Sequence, residues 1–334
     1  MDRTNRILAA EGLRRIRGGR SRPGILALLQ VAGADPAGIT SRDLAFAVAP
    51  RLNAAGRLED MSVGIECLLT TDSARALELA NQLNALNAER KEIEATMKVQ
   101  AEVALKSTGD LSRTDASGVC LYDETWHQGV VGIVASRIKD RIHRPVIAFA
   151  RAGDNELKGS ARSIAGLHIR DALDAIAARN PGLVIKFGGH AMAAGLSLLP
   201  ANLDAFKIAF NEEAARWLTA TDLEQIVYSD GEIDIMPSIN EVRELQAAAP
   251  WGQGFPEPAF DGEFELVEQR IVGGHHLKLK VRPLNGEQVI DAIAFNQDRL
   301  IENRFQRLAY RLDVNEYRGR ASLQLIVEAI GVSL

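Results

Sequence analysis

The spacing of apolar positions divides the chain into three zones: helices, then alternating strands and helices, then strand after strand. Residues 5–17 carry Ile7, Leu8, Leu13 and Ile16 as a helical stripe that Gly18 and Gly19 end. Pro23 opens a second helix to about Ala32, and Ser41 is read as the cap of a third that runs through 50–58 with Gly56 at its C-terminal end. Asp72 caps a long helix to about Lys106 that has no internal Gly or Pro and one stripe of apolar or small residues from Leu79 to Ala104. At 1.5 Å per residue it would be roughly 50 Å long. So long a helix with one thin stripe suits a connector between domains, and 107–117 reads as a polar linker after it.

From Gly118 the pattern is α/β. Strands are expected at 119–122, 145–150 and 157–163, and helices at 128–141 and 168–178. A further strand at 183–187 reaches Gly188-Gly189-His190, after which a small-residue helix is expected with His190 at its head and its first amides open to an anion. A helix at 202–218 closes this zone. Strands at 260–272, 276–282, 288–295, 308–314 and 322–330, with one short helical interlude, suit a small barrel of the oligonucleotide-binding type. In 276–282 the alternation puts His276, Lys278, Lys280 and Arg282 on one face and Leu277, Leu279 and Val281 on the other. The basic face could follow a phosphate backbone or simply face solvent.

Composition narrows the class. The 334 residues are 46% hydrophobic and 25% charged, as in a globular protein of two or three domains. No apolar run is long enough to span a membrane and Met1-Asp2-Arg3-Thr4 has no signal-peptide core, so a cytoplasmic protein without a membrane partner is expected. Cys67 and Cys120 stand in separate apolar contexts and read as reduced core thiols. The net charge of −5 argues against a basic coat, yet five arginines fall between Arg14 and Arg22 while 201–261 carries twelve acidic against three basic side chains. That distribution fits a local basic site on an acidic protein and equally a solvated face.

Three short stretches place polar groups at strand-to-helix junctions, where ligands of α/β folds sit. They are Trp126-His127-Gln128-Gly129-Val130-Val131-Gly132, Gly159-Ser160-Ala161-Arg162-Ser163 with Ser160 and Arg162 on one side of a strand, and Gly188-Gly189-His190. A hydroxyl, a guanidinium, an imidazole and helix amides form a set suited to a terminal phosphate. In 50–58, Arg51, Asn53 and Arg57 are interleaved with small residues, which leaves planar donors room to reach a ligand.

Taken in order with Asn5-Arg6-Ile7-Leu8, Gly12 to Arg17, Arg51 to Leu58, Gly166 to Leu173, Gly188 to Gly195 and Arg311 to Glu316, these stretches resemble the RecJ family of the DHH phosphoesterase superfamily along essentially the whole chain. The resemblance implies the end of a DHH domain (1–70), a connecting helix (71–107), an α/β DHHA1 domain (108–220) and an oligonucleotide-binding-fold (OB-fold) β-barrel with its lead-in (221–334). It implies a 5′-to-3′ single-stranded-DNA exonuclease of recombination and repair, using Mn²⁺ or Mg²⁺ in a two-metal mechanism. Its implied partners are single-stranded DNA with a 5′ end, a single-strand-binding protein and a helicase. By the same resemblance Ser160 and Arg162 recognise the 5′ phosphate, and Arg51, Asn53, Arg57, Gln128 and His190 line the channel, His190 as a catalytic group. His127, Gly188, Gly189, His276, Lys278 and Lys280 complete the expected DNA contacts.

The family's metal-binding aspartates and Asp-His-His signature lie upstream of the Asn5-Arg6 segment, and neither Asp-x-Asp nor Asp-His-His occurs here; His275-His276 has no preceding aspartate. No metal ligand is therefore assigned. The expectation is an N-terminally truncated family member that binds DNA with little hydrolysis of its own and exposes apolar surface at Leu26, Leu28 and Leu29. Two other readings fit the residues: a phosphodiesterase acting on short oligonucleotides or cyclic dinucleotides, against which the basic barrel strand argues, and a non-catalytic nucleic-acid-binding scaffold.

Overall fold

A computed structural model describes residues 2–107, 116–153, 155–252, 254–274, 276–317 and 319–331. Most of the linker expected at 107–117 lies outside the described residues, as do Gln253 and His275. In chain order the helical part comprises α1 (Arg3–Arg17), α2 (Pro23–Ala32), a single turn α3 (Ser41–Asp43) continued by a π-helical turn at Leu44–Val48, α4 (Ala49–Leu58), α5 (Ser62–Leu69) and α6 (Ser73–Ser107). The α/β part follows as β1 (Val119–Tyr122), α7 (Val131–Ile142), β2 (Val146–Arg151), β3 (Leu157–Arg162), α8 (Ile169–Arg179), β4 (Lys186–Gly189), β5 (Ala193–Leu198) and α9 (Leu203–Trp217). α10 (Ile239–Ala248) leads into β6 (Phe260–Val272), β7 (His276–Pro283), β8 (Ile290–Ala294), β9 (Phe305–Tyr317) and β10 (Arg320–Ile330). No helix among the described residues is long and apolar enough to cross a membrane.

The chain groups into two compact units. One comprises residues 22–32 and 49–225, the other 1–21, 33–48 and 226–334, so the helices before residue 70 contribute to both. In the first unit α6 runs for 35 residues, about 52 Å at the helical rise. The Asp72 carboxylate caps it by accepting the Ala74 N–H at 2.8 Å. Leu79, Ala80 and Leu83 of α6 are buried along with Leu28 and Leu29 of α2 and Cys67 of α5. The expectation of exposed apolar surface at Leu28 and Leu29 is thus corrected: α6 packs along α2 and takes both side chains out of water.

The sheet of this unit has the order β1-β2-β3-β5-β4, with β1 and β2 parallel and the remaining pairs antiparallel. Alternation along the strands sorts its two faces. Ile147, Phe149, Leu157, Ala161, Ala194, Leu196 and Leu198 face a core closed by α8 and α9. Val146, Ala148 and Ala150 face α7 through Val131, Val134, Ala135 and Ile138. On this second face β3 presents Lys158, Ser160 and Arg162, while β5 and β4 present Ala193, Gly195 and Gly188.

One expectation fails here. No helix follows the double glycine: β4 turns directly into β5, with Gly188 opposite Gly195 and Gly189 opposite Ala194. Gly189 sits at φ +149°, and a Cβ there would come 2.4 Å from the Ala193 carbonyl oxygen, so the turn is open to glycine alone. The segment 191–195 is helix-prone by composition, but pairing of 193–198 with β3 on the other side claims its backbone donors and acceptors.

In the second unit the five strands close a barrel in the order β10-β8-β7-β6-β9. Phe264, Leu277, Leu279, Val281, Ile290, Ala292, Tyr310, Leu312 and Leu325 fill it. All five strands coincide with the expected ones to within a few residues. The helical interlude is not found: the residues between β8 and β9 form turns, bends and irregular chain.

Candidate nucleic-acid interface

The polar groups of the α/β unit converge where α7 begins. The preceding loop is pinned by Trp126, which is buried and donates from its indole to Gln100 Oε1 of α6 at 3.0 Å. His127 Nδ1 accepts the Gly129 N–H at 3.1 Å and tightens the turn. α7 therefore starts at Val131 rather than 128, and His127 and Gln128 lie exposed in the turn. No side chain caps α7, which leaves the positive end of its dipole uncompensated.

Beneath that end lie Ser160 and Arg162. Arg162 donates from Nη1 to Ser160 Oγ at 3.0 Å and to the Ala161 carbonyl at 2.8 Å, which fixes the plane of the guanidinium. A Cβ on Gly132 would meet Arg162 Nη2 at 2.7 Å and Ser160 Oγ at 2.8 Å. Glycine at this position lets the helix start descend onto the pair. Arg57 reaches the same place from α4 and donates from Nη1 to the Gly129 carbonyl at 3.2 Å. Burial is the main cause that lowers the affinity of both guanidiniums for their protons; Arg90 adds to this for Arg57, and Arg57 does so for Arg162. Both stay cationic, since an arginine titrates far above neutrality. Two half-buried guanidiniums that repel each other, neither hydrogen-bonded to a carboxylate among the described residues, form a place for a ligand anion.

Beside Ser160 one row of the sheet is bare. Ser160, Gly195 and Gly188 are opposite one another on adjacent strands and share a face. Across two strand spacings, about 10 Å, the backbone carries no side chain after the serine. A Cβ on Gly188 would touch nothing within 4 Å.

The other expected groups fall differently. His190 is exposed in the β4–β5 turn, its N–H donating to the Ala193 carbonyl at 2.8 Å, so it does not head a helix. Gln128 accepts from Lys158 Nζ at 3.4 Å and belongs to the rim of the Ser160–Arg162 site. Arg51 is tied into the helical layer through Asn84 Oδ1 at 2.9 Å and the Val31 carbonyl at 3.4 Å, while Asn53 is exposed on α4. Gly56 lies inside α4 and does not end it, and Thr40 caps the turn that Ser41 was expected to cap.

On the barrel the alternation of β7 holds: Leu277, Leu279 and Val281 are buried and the basic residues face outward. Two of these four residues form ion pairs, Lys280 with Glu268 at 2.6 Å and Arg282 with Glu265 at 2.9 Å. Lys278 stands opposite Arg270 of β6, and neither forms an ion pair among the described residues. His276 Nδ1 accepts the Asn296 N–H at 3.1 Å and its ring lies edge-on to the half-exposed Phe295, with centroids 5.1 Å apart. A cleft of about 1440 Å³ in the same unit, lined by segment 34–46 and the barrel, contains ion pairs. Arg42 pairs with Asp313 at 3.5 Å and Arg311 with Glu328 at 2.5 Å.

Sequence reasoning gave Gly132 no role beyond the end of the Trp126–Gly132 stretch, and it passed over Lys158, Arg270 and Phe295. It also passed over the group near Arg57: Arg90, Glu94 and Arg137, of which only the four-residue spacing of Arg90 and Glu94 gave a local signal. Among the described residues no three His, Cys, Asp or Glu side chains stand together as a metal ion would need. The divalent ions implied by the resemblance have no such donor set among the described residues.

Comparison with known proteins adds identity to this geometry. Residues 115–216 match the model of the DHHA1 domain and residues 230–329 that of the RecJ OB domain. The single-stranded-DNA-specific exonuclease RecJ of Dickeya dadantii is 54% identical over 333 residues, covering 98% of this chain and 58% of that protein. Crystal structures of RecJ from Thermus thermophilus in complex with Mg²⁺ and with Mn²⁺ each superpose with a TM-score of 0.75 at 31% identity. Both cover 99% of this chain, and 49% and 47% of those chains respectively. The chain thus spans a little under three fifths of the length of the curated relative it matches.

Proposed function

Since the chain belongs to the RecJ family, we propose that it carries the 5′-phosphate-holding and strand-binding part of a 5′-to-3′ single-stranded-DNA exonuclease. The observation that carries this reading is the convergence of Arg57, Ser160, Arg162 and the uncapped start of α7 on one spot over β3, the middle strand of the sheet, beside a row of two glycines. A terminal phosphate has two negative charges and three acceptor oxygens to offer that spot. An internal phosphodiester has one charge and is flanked by sugars on both sides. The site therefore favours chain ends, and Gly195 and Gly188 leave backbone surface on which the first nucleotides can lie.

Hydrolysis by these residues alone is not part of the proposal, because the described residues supply no metal donor set and none of the groups at the site is a nucleophile activated by a base. Their work is to bind and orient. The name of the Dickeya dadantii relative supports single-stranded DNA as the substrate class, and the outward basic positions of β7 support contact with its backbone.

The test measures binding of 5′-phosphorylated and 5′-hydroxyl oligonucleotides to the full chain and to Arg162→Ala, together with nucleotide release in Mg²⁺ or Mn²⁺. The expected result is a preference for the phosphorylated end that Arg162→Ala abolishes, a loss of roughly ten-fold or more on that substrate alone, with little release. Equal weakening on both ends would refute the phosphate site. Robust metal-stimulated release from the 5′ end would refute the binding-only reading.

A further inference from the structure

Near Arg57, α6 contributes a buried polar cluster. Arg90 is only 8% exposed. It donates from Nε and Nη2 to Asn87 Oδ1, at 3.4 and 3.1 Å, and from Nη1 to Glu94 Oε2 at 2.5 Å. The second carboxylate oxygen of Glu94 accepts from Arg137 Nε of α7 at 3.1 Å. One carboxylate thus joins the long helix to the helix whose start forms the phosphate site. It also serves three cations, because its charge favours protonated Arg57 while the Arg90 charge opposes it.

We propose that Glu94 is a positioning residue for the 5′-phosphate site: by holding Arg90 and Arg137 it keeps Arg57 against the Gly129 carbonyl with its remaining donors turned toward the terminal phosphate. The inference rests on the reading of Arg57, Ser160 and Arg162 given above. Its physical basis is repulsion among cations in a partly desolvated place. With Glu94 ionised and doubly bonded, the Arg90 guanidinium is neutralised where it lies and Arg57 occupies the site without a competitor. With the charge removed, Arg90 is left buried without a counter-ion, and it and Arg57 separate, so that Arg57 leaves Gly129.

The sign of the effect separates this role from two simpler ones. If Glu94 acted only through its long-range field, Glu94→Gln would make the site more positive and tighten phosphate binding. If it only stabilised the fold, the variant would weaken phosphorylated and unphosphorylated ends alike. Positioning predicts a third pattern, a loss confined to the phosphorylated end that occurs only when Arg57 is present.

The experiment is a double-mutant cycle on the full chain, with affinities measured for 5′-phosphorylated and 5′-hydroxyl oligonucleotides of one sequence. Glu94→Gln is expected to reduce the phosphate preference roughly ten-fold, the scale of one charge-assisted contact. In an Arg57→Ala background the same change is expected to do nothing further. Arg137→Ala, whose side chain is half exposed, provides a variant that disturbs the Glu94 bridge without emptying the core; it should lose part of the preference. Tighter binding, equal loss on both ends, or an undiminished effect of Glu94→Gln without Arg57 would each overturn the proposal. If Arg57→Ala and Arg162→Ala themselves leave the preference intact, the phosphate-site reading fails first, and the role of Glu94 fails with it.

Discussion

A methyl group on Gly132 tests the site at its tightest point. It would sit 2.7 Å from Arg162 Nη2 and 2.8 Å from Ser160 Oγ, both at the ends of side chains that can move. In a helix, alanine is favoured over glycine by about 1 kcal/mol. The two effects fall on different observables, so Gly132→Ala is expected to keep or slightly raise the melting temperature while displacing Arg162 and lowering the preference for a phosphorylated 5′ end. Thermal melting and the two-oligonucleotide comparison check it; a lower melting temperature with an unchanged preference would contradict the geometry. The pairing of Ser160 with Arg162 was legible in the sequence because a period of two puts them on one face of a strand. That Gly132 lies on them was not, since it depends on how closely α7 packs against the sheet. Gly188-Gly189-His190 misled for a related reason: alanine-rich 191–195 has helical propensity, and only the partner strand β3 shows that the segment is extended.

At the scale of elements, β7 shows how an alternation can be right about direction and incomplete about charge. Its apolar and basic faces are where the pattern puts them. What the pattern lacks is β6, where a register shift between Leu266 and Glu268 sets Glu268 opposite Lys280. A bulge of that kind adds one residue and redirects the side chains after it, and nothing local in the sequence marks it. Lys280 is consequently paired at 2.6 Å, whereas Lys278 faces Arg270. Lys278→Ala is therefore expected to lower the slope of log affinity for single-stranded DNA against log salt by roughly 0.7, the single-strand value for one phosphate contact. Lys280→Ala should change it by distinctly less, because Glu268 already answers that charge. Titrations across a salt series check both, and a slope unchanged in both variants would remove β7 from the DNA track. The long α6 was legible from its cap and its unbroken length, while α5 and α10, short and flanked by turns, carried too little periodicity to be read.

For the whole molecule, the net charge of −5 means that attraction to DNA has to come from local arrangements and not from the overall field. The Arg57–Ser160–Arg162 site and the Lys278–Arg270 strip are two such arrangements, and they lie in different compact units. They read different features of a strand. The first senses an end through the extra charge of a terminal phosphate, while the second counts backbone phosphates irrespective of sequence or end. The two properties should therefore separate cleanly. Arg162→Ala is expected to erase the end preference and keep the salt slope measured on 5′-hydroxyl DNA, and Lys278→Ala the reverse. On a phosphorylated oligonucleotide long enough to reach both, the combined variant should lose the sum of the two free energies to within about 0.5 kcal/mol, as independent sites do. A combined loss well short of that sum would mean that each site is useful only while the other is occupied. The end preference would then fall with the barrel variant as well.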